Sequence, residues 1–392
     1  MTERRAYLDH NATAPLLPEA RKALLRALEQ PGNPSSVHAE GRAARALVEA
    51  ARRSVAGLVG ASPPAVTFTS GATEAATTCL SPLWIEEGRE VAIGRLAVLD
   101  TDHPCIRDGG RFAPERVTRL PVDADGIVDL DALARWLDAA DGPEPDLLAL
   151  CFANNETGVI QPLDAITDLI GEKPVLLAVD AVQAVGRLPL DGILARADAV
   201  ILSGHKIGAA KGVGAVALRR ESLRPAPLLT GGGQEKRRRS GTEAVAPIAS
   251  FGAAAEVAGR RCEEAGRLLA LRTQIESRLE SLGVAVVGRD ASRLPNTVMA
   301  ARPGLKAETA QMALDLAGFA VSSGSACSSG KVGPSHVLEA MAKAGAPVDP
   351  NEGAIRISFG YETGEDELDA LLVEISRLVT RSAASGSRTV AA

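Results

Sequence analysis

The chain has 392 residues, 46% of them hydrophobic and 23% charged, with a formal net charge of −6. That is enough apolar material for a large core divided into two lobes, and the acidic balance argues against a nucleic-acid footprint. The one basic cluster, "EKRRRSG" at 235–241, reads as a solvated loop rather than a binding patch.

Aromatic residues make up only 3% of the chain, so Ala, Leu, Val and Gly carry the apolar load, as suits helices packed closely on a mostly parallel sheet. The first residues, "MTERRAYLDHN", have no apolar core of the kind a secretory signal carries, and no later run approaches bilayer-spanning length. The sequence therefore predicts a cytoplasmic protein with no membrane contact. Short strand-like runs then alternate with Ala- and Leu-rich helical patterns, the signature of βαβ units and an α/β sheet covered on both faces.

In "AVTFTSGATEAATT" (65–78) an apolar strand runs to Phe68, turns at Ser-Gly-Ala-Thr and continues in helix formers. Such a turn exposes the backbone N–H groups of a helix start, here at Ala72 and Thr73, beside two hydroxyls. It can serve as a phosphate seat or as a plain helix cap. Three later runs end in polar groups. "DLLALCFA" (146–153) leads into "NNETG" with Asn155, "PVLLAVD" (174–180) ends at Asp180 with Gln183 close behind, and "DAVILSGHK" (198–206) ends at Ser203, His205 and Lys206. In an open α/β sheet ligands lie beyond the carboxyl ends of the strands, so these groups are predicted to converge.

A lone lysine just past a strand is ordinarily a solvated surface cation. An amine able to form an imine, a carboxylate at a neighbouring strand end and a phosphate seat are together what pyridoxal phosphate requires: an amine for its aldehyde, an anion for its ring nitrogen and donors for its phosphate. Lys206, Asp180 and the "SGAT" turn fill those three places, which leaves Lys211 as an ordinary solvated lysine. The five cysteines (Cys79, Cys105, Cys151, Cys262 and Cys327) include no C-x-x-C pair, so neither a zinc site nor a disulfide framework is expected, and a reducing compartment is. Cys327 lies in "AVSSGSACSSGKVGPSH" (320–336), whose small residues suggest an exposed thiol on a mobile segment. Alone it is as readily an accident as a nucleophile; beside the cofactor set it becomes a candidate. The other four cysteines occupy no comparable stretch. The tail "SAASGSRTVAA" (382–392) is small and polar and is predicted to be disordered.

Ordered motifs over nearly the whole chain carry a family resemblance: "YLDHNATAP" (7–15), "GNPSSVHAEGRAAR" (32–45), "FTSGATEA" (68–75), "NNETGVIQP" (154–162), "DAVQAVG" (180–186), "SGHK" (203–206), "GGGQEKRRRSGT" (231–242), "SSGSACSSG" (322–330) and "IRISFG" (355–360). The chain resembles the cysteine desulfurases of the class V aminotransferase superfamily, in the branch that serves nitrogen fixation and iron–sulfur cluster assembly. The resemblance implies fold type I of the pyridoxal-phosphate enzymes. It places a large domain at 15–257 with a seven-stranded, mostly parallel sheet, and a smaller α+β domain made of 1–14 and 258–381.

By the same resemblance Lys206 is the Schiff-base lysine, Asp180 the partner of the pyridinium nitrogen, and His103 the residue that stacks on the ring and takes part in acid–base steps. Asn155 and Gln183 correspond to residues that bond the phenolic oxygen. Ala72, Thr73, Ser203 and His205 correspond to the phosphate site, joined by Thr242 from the second subunit of a homodimer. Arg356, with Asn155, would bind the carboxylate of L-cysteine, and Cys327 would be the nucleophile, on the long catalytic loop typical of one branch. The implied reaction turns L-cysteine into L-alanine, with the sulfur held as a persulfide on Cys327 for a protein acceptor such as an iron–sulfur scaffold. A related aminotransferase or selenocysteine lyase would keep Lys206 and Asp180; a non-catalytic sulfur carrier would use Cys327 without the cofactor. The chain departs from the family at Ala14, where threonine is usual, and at Ala76, Thr77 and Thr78, where asparagines are common.

Overall fold

The computed structural model describes residues 5–140, 142–324 and 333–389, with side chains to residue 382. Cys327 lies outside the described residues. Seven strands form the central sheet, in the order Val66–Thr69, Gly214–Leu218, Ala199–Ser203, Val175–Asp180, Asp146–Cys151, Leu96–Leu99 and Val117–Leu120. Gly214–Leu218 runs against both of its neighbours, and the other strands run parallel to one another. The runs 146–151, 199–203 and 214–218 are buried at every residue, which is why they read as unbroken apolar stretches rather than alternating ones.

Helices cover both faces. Val48, Ala51 and Val55 of the helix Ala39–Gly57 pack with Phe251, Ala254 and Ala258 of the helix Val245–Arg261 on one side of the sheet. Ala75, Ala76 and Cys79 of the helix Ala72–Cys79 pack with Ile106 on the other. The fold class is thus the α/β type that the alternating pattern and the family resemblance predict.

A separate core gathers Ala6 and Leu8 with residues between Leu268 and Val379, around the antiparallel strands Ala285–Val286, Thr297–Ala301 and Ile355–Ser358. Ala6–Tyr7 pairs in parallel with Phe319–Ala320, so the first residues fold with the carboxyl-terminal third, whereas Leu17 and Ala20 already belong to the core of the large sheet. The last helix, Glu365–Thr389, extends well into the stretch whose composition predicts a disordered tail. Leu368, Leu371, Leu372, Ile375 and Val379 anchor one helical face in the second core. From such an anchored nucleus each further residue adds a backbone hydrogen bond at low cost.

The "EKRRRSG" segment departs further from its sequence reading. Glu235 is buried and takes both guanidinium nitrogens of buried Arg52 at 2.7 Å, as well as the Phe68 N–H at 2.8 Å, while Arg238 is buried against the Pro64 carbonyl at 2.7 Å. Glu235, Lys236 and Arg237 all adopt left-handed backbone conformations, with φ of 46°, 57° and 63°, a run that costs roughly 1–2 kcal/mol per residue and must be held from outside. The Arg52 pair holds it. Composition showed the net charge of this segment but not the one acid that turns inward. Glu235→Ala leaves buried Arg52 with Glu49 at 3.2 Å and the Val66 carbonyl at 2.9 Å, but strips two guanidinium N–H groups and the Phe68 N–H of their acceptor, and should lower stability by about 2–3 kcal/mol; urea unfolding measures this, and a loss below about 1 kcal/mol would show that the pair does not hold the loop.

Candidate active site

The carboxyl ends of the parallel strands open into a cavity of about 560 Å³. Register brings the ends together: Cys151 lies opposite Asp180, and Asp180 opposite Ile201, two residues before Ser203. Of the residues singled out in the sequence, Lys206, Asp180, His103, Asn155 and Gln183 line this cavity. Ala72, Thr73, Ser203 and His205 line it as well. Residues more than 130 positions apart in the chain thus share one space.

Local chemistry explains each placement. The turn after Val66–Thr69 starts the helix Ala72–Cys79 at Gly71, with no side chain capping it, so the first-turn N–H groups have no intrahelical acceptor. Gly214 on the neighbouring strand permits the close approach, since a Cβ there would lie 2.6 Å from the Gly71 carbonyl carbon. Thr77 and Thr78 donate to the carbonyls of Thr73 and Glu74, at 2.9 and 2.7 Å, and Ala76 is fully buried. The positions that depart from the family therefore serve the helix itself. In "NNETG" the first asparagine is structural: Asn154 Oδ1 accepts from the N–H groups of Glu156 and Thr157 at 2.9 and 3.0 Å and its amide donates to Thr101 O, which turns the chain and leaves Asn155 at the cavity. Gly158 completes that turn at φ 77°.

Lys206 follows the strand Ala199–Ser203 in a short turn, and its Nζ donates to the carbonyls of Asn11 (2.5 Å) and Ala12 (3.0 Å). Asp180 accepts from the Val182 N–H at 2.9 Å and receives the Cys151 thiol at 3.8 Å. Burial pushes its carboxyl up to about 6, against the Val182 hydrogen bond and the Lys206 charge, which favour the anion. Burial also pushes Asp102 up to about 7, although its two oxygens accept the N–H groups of Leu99 and Cys151 at 2.7 and 2.8 Å. His103 and His205 are both lowered to about 4, by burial and then by the charge of Lys206. His205 Nδ1 meets the Thr13 hydroxyl at 3.2 Å.

Two predicted residues stand apart from the cavity wall. Thr242 is exposed, and Arg356 is buried on the strand Ile355–Ser358, where its guanidinium bonds Asp9 at 2.7 Å and the Asn155 carbonyl at 3.0 Å. Other residues line the cavity without having been given a part by the sequence reading: Thr13, Cys105, Cys151 and Lys211. Lys211, which reads in the sequence as an ordinary solvated lysine, faces the same space as Lys206. The glycines around it were the available signal, since "AAKGVG" keeps that loop close to the strand end.

Residues 6–371 match the family described as aminotransferase class-V. The chain is 40% identical over 383 residues to a cysteine desulfurase of Cereibacter sphaeroides, covering 96% of each. It aligns with the solved NifS-like protein of Rickettsia africae at a TM-score of 0.84 and 29% identity, over 96% of this chain and 99% of that one. A structure of SspA in complex with cysteine aligns at a TM-score of 0.71 and 25% identity, over 90% and 98%. The chain belongs to the class-V aminotransferase family, among its cysteine desulfurases.

The raised Asp180 carboxyl has a consequence for stability. Its folded value of about 6 lies above the unfolded value of 3.8, so the folded state holds this proton more tightly, and stability falls as pH rises from about 4 through 6. In cofactor-free protein, Asp180→Asn should remove up to about 3 kcal/mol of that loss at pH 8 and nothing at pH 3. Urea midpoints across pH read the difference directly; parallel profiles for the two proteins would refute it.

Proposed function

We propose that the chain is a pyridoxal-phosphate-dependent cysteine desulfurase that converts L-cysteine to L-alanine and leaves the sulfur as a persulfide on Cys327. The observation that carries this reading is the single cavity shared by the Lys206 amine, the buried Asp180 carboxyl and an uncapped helix start. The donor set fits the cofactor. Lys206 would hold the aldehyde, Asp180 the ring nitrogen, His103 the ring face, and Asn155 and Gln183 the phenolic oxygen. A cationic ring nitrogen beside Asp180 would offset the burial that now favours its protonated form. Ala72, Thr73, Ser203 and His205 would hold the phosphate, with Thr242 supplied by the second subunit of a homodimer. When bound, pyridoxal phosphate supplies an aldehyde that condenses with amines and a ring that withdraws electrons from the substrate.

The chain's own residues position the substrate and move its protons. Asp9 and the Asn155 carbonyl fix two edges of the Arg356 guanidinium, whose other N–H groups suit the flat carboxylate of L-cysteine. Lys206, oriented by the Asn11 and Ala12 carbonyls, takes the proton from the substrate Cα. The Cys327 thiolate attacks the substrate sulfur. The carbon–sulfur bond breaks, its electron pair stays with the carbon that becomes the alanine methyl group once protonated, and a sulfur–sulfur bond forms on Cys327. A thiol of ordinary pKa, about 8.5, needs a nearby base or cation to be ionised at neutral pH. We further infer a cytoplasmic enzyme that hands its persulfide to a protein such as an iron–sulfur scaffold. The cysteine-bound relative and the NifS-like one support the substrate and the pathway class.

Two variants separate the halves of this mechanism. Lys206→Ala should abolish turnover with little change in fold, and borohydride reduction followed by peptide mapping of the wild type should label Lys206; a label on Lys211 would overturn the assignment. Cys327→Ser should still bind cofactor and change its absorption spectrum on adding L-cysteine, yet form no protein persulfide and no alanine above about a thousandth of the wild-type rate. Full alanine production by that variant would move the nucleophile elsewhere.

A further inference from the structure

Gln183 is buried at the cavity wall, and both ends of its side-chain amide already have partners. Its Oε1 accepts from Arg187 Nη1 at 2.6 Å, and its Nε2 donates to the Asn11 carbonyl at 3.0 Å. A guanidinium can only donate and a carbonyl can only accept, so these two neighbours fix the amide in one orientation. Nε2 carries a second hydrogen, which Asn11 does not use. What Gln183 has left to offer the cavity is therefore a donor.

Arg187 is a buried cation, and among the described residues no carboxylate pairs with it. One nitrogen, Nη1, makes both of its close bonds, to the Gln183 backbone carbonyl and to Gln183 Oε1, each at 2.6 Å; Nη2 lies 3.5 Å from the His10 carbonyl. Buried charges are ordinarily paired with an opposite charge. Here the amide takes that place. A cation on the carbonyl end of an amide draws electron density through it and makes the N–H at the other end a stronger donor.

We propose that Arg187 is a positioning residue that fixes the Gln183 amide with an N–H free for the cavity and strengthens that N–H through its own charge, so that the phenolic oxygen of pyridoxal phosphate is held as an anion.

The surroundings agree with this geometry. Burial lowers the Arg187 guanidinium to about 10, which leaves it charged at neutral pH. The groups that interact with its charge are His10, Tyr361 and Arg356. Burial and then Arg187 itself hold His10 near 4, and burial pushes Tyr361 up to about 12, so both are neutral at pH 7. Neither supplies the missing negative charge, and Arg356 is a second cation. This inference deepens the desulfurase reading and rests on it for the identity of what Gln183 meets.

The test follows the absorption of full-length holoprotein across pH, which reads the midpoint at which the bound cofactor gives up the proton shared by its phenolic oxygen and the Lys206 nitrogen. A weaker donor on that oxygen leaves it more basic, so the proton is kept to higher pH. Arg187→Met should raise the midpoint by about half a pH unit, a roughly threefold change in the equilibrium. Arg187→Lys should restore it, because a single nitrogen makes both close bonds and an ammonium can stand in its place. Arg187→Gln, neutral and polar, should raise it as well and serves where the apolar variant does not fold. In a Gln183→Leu background Arg187→Met should add nothing further, since the path through the amide is already cut. An unchanged midpoint in the neutral variants overturns the proposal, and so does a shift that persists in full without Gln183, which would be an effect of charge through space. Failure of the desulfurase reading would look different: a wild type that takes up the cofactor and makes no alanine, with the Arg187 shift intact. A wild type that takes up no cofactor would overturn both.

Discussion

The site depends on the hydrogen bonds of one buried asparagine. Asn11 donates its backbone N–H to Ser358 Oγ at 3.0 Å, and its side-chain amide to the Asn155 carbonyl at 3.2 Å and to Thr297 Oγ1 at 3.0 Å. Its own carbonyl accepts from Lys206 Nζ and from Gln183 Nε2. The strand of the first residues, the antiparallel sheet of the carboxyl-terminal third and three strand ends of the central sheet are thereby fixed to a single residue. Buried polar groups that lose such partners cost far more than the bonds gain, so the arrangement is specific as well as stable. Lys206 is held where it is because the first dozen residues return to the catalytic edge of the sheet.

A second constraint is the burial of carboxyl groups. Asp180, Asp102 and Glu156 are all buried, and each is pushed well above the ordinary carboxyl range by desolvation. Glu156 accepts from Ser335 Oγ at 2.6 Å, and His336 donates to the Asp102 carbonyl at 2.9 Å. The turn after one central strand and the loop after another are thus tied to the start of the helix His336–Lys343. A cavity whose wall includes one acid that resists ionisation, Asp180, with the Lys206 amine lining the same space, is costly to keep without a ligand. Such strain is retained where a cationic group is meant to enter. Fold stability and readiness for the ligand therefore oppose each other at Asp180.

Much of this was legible before folding was considered. Strands buried on both faces appear as unbroken apolar runs, and a parallel sheet places the polar residues that end such runs along one edge, so Asp180, Ser203, His205 and Lys206 could be grouped from local pattern alone. Asn155, Gln183 and Thr73 were within reach of the same pattern, and the motif resemblance added His103 and gave each its role. All of these line one cavity. Periodicity said nothing of Asn11, because its importance lies in partners up to 347 positions away. The same holds for Arg356, whose guanidinium is engaged by Asp9 from the opposite end of the chain.

The sequence by itself determined the class of fold, the polar strand ends and the chemical set of amine, carboxylate and helix start, because each is written in neighbouring residues. Only the tertiary structure decided which charges turn inward. Glu235, in a segment that reads as basic and solvated, pairs with Arg52 from a helix 183 positions earlier. Two cysteines of unremarkable context came to rest beside His103 and Asp180, and Lys211 came to face the cavity of Lys206. The physical reason is common to all three cases. Desolvation and hydrogen-bond geometry depend on what packs against a group in space, and local sequence specifies that only when the partner is also a neighbour in the chain.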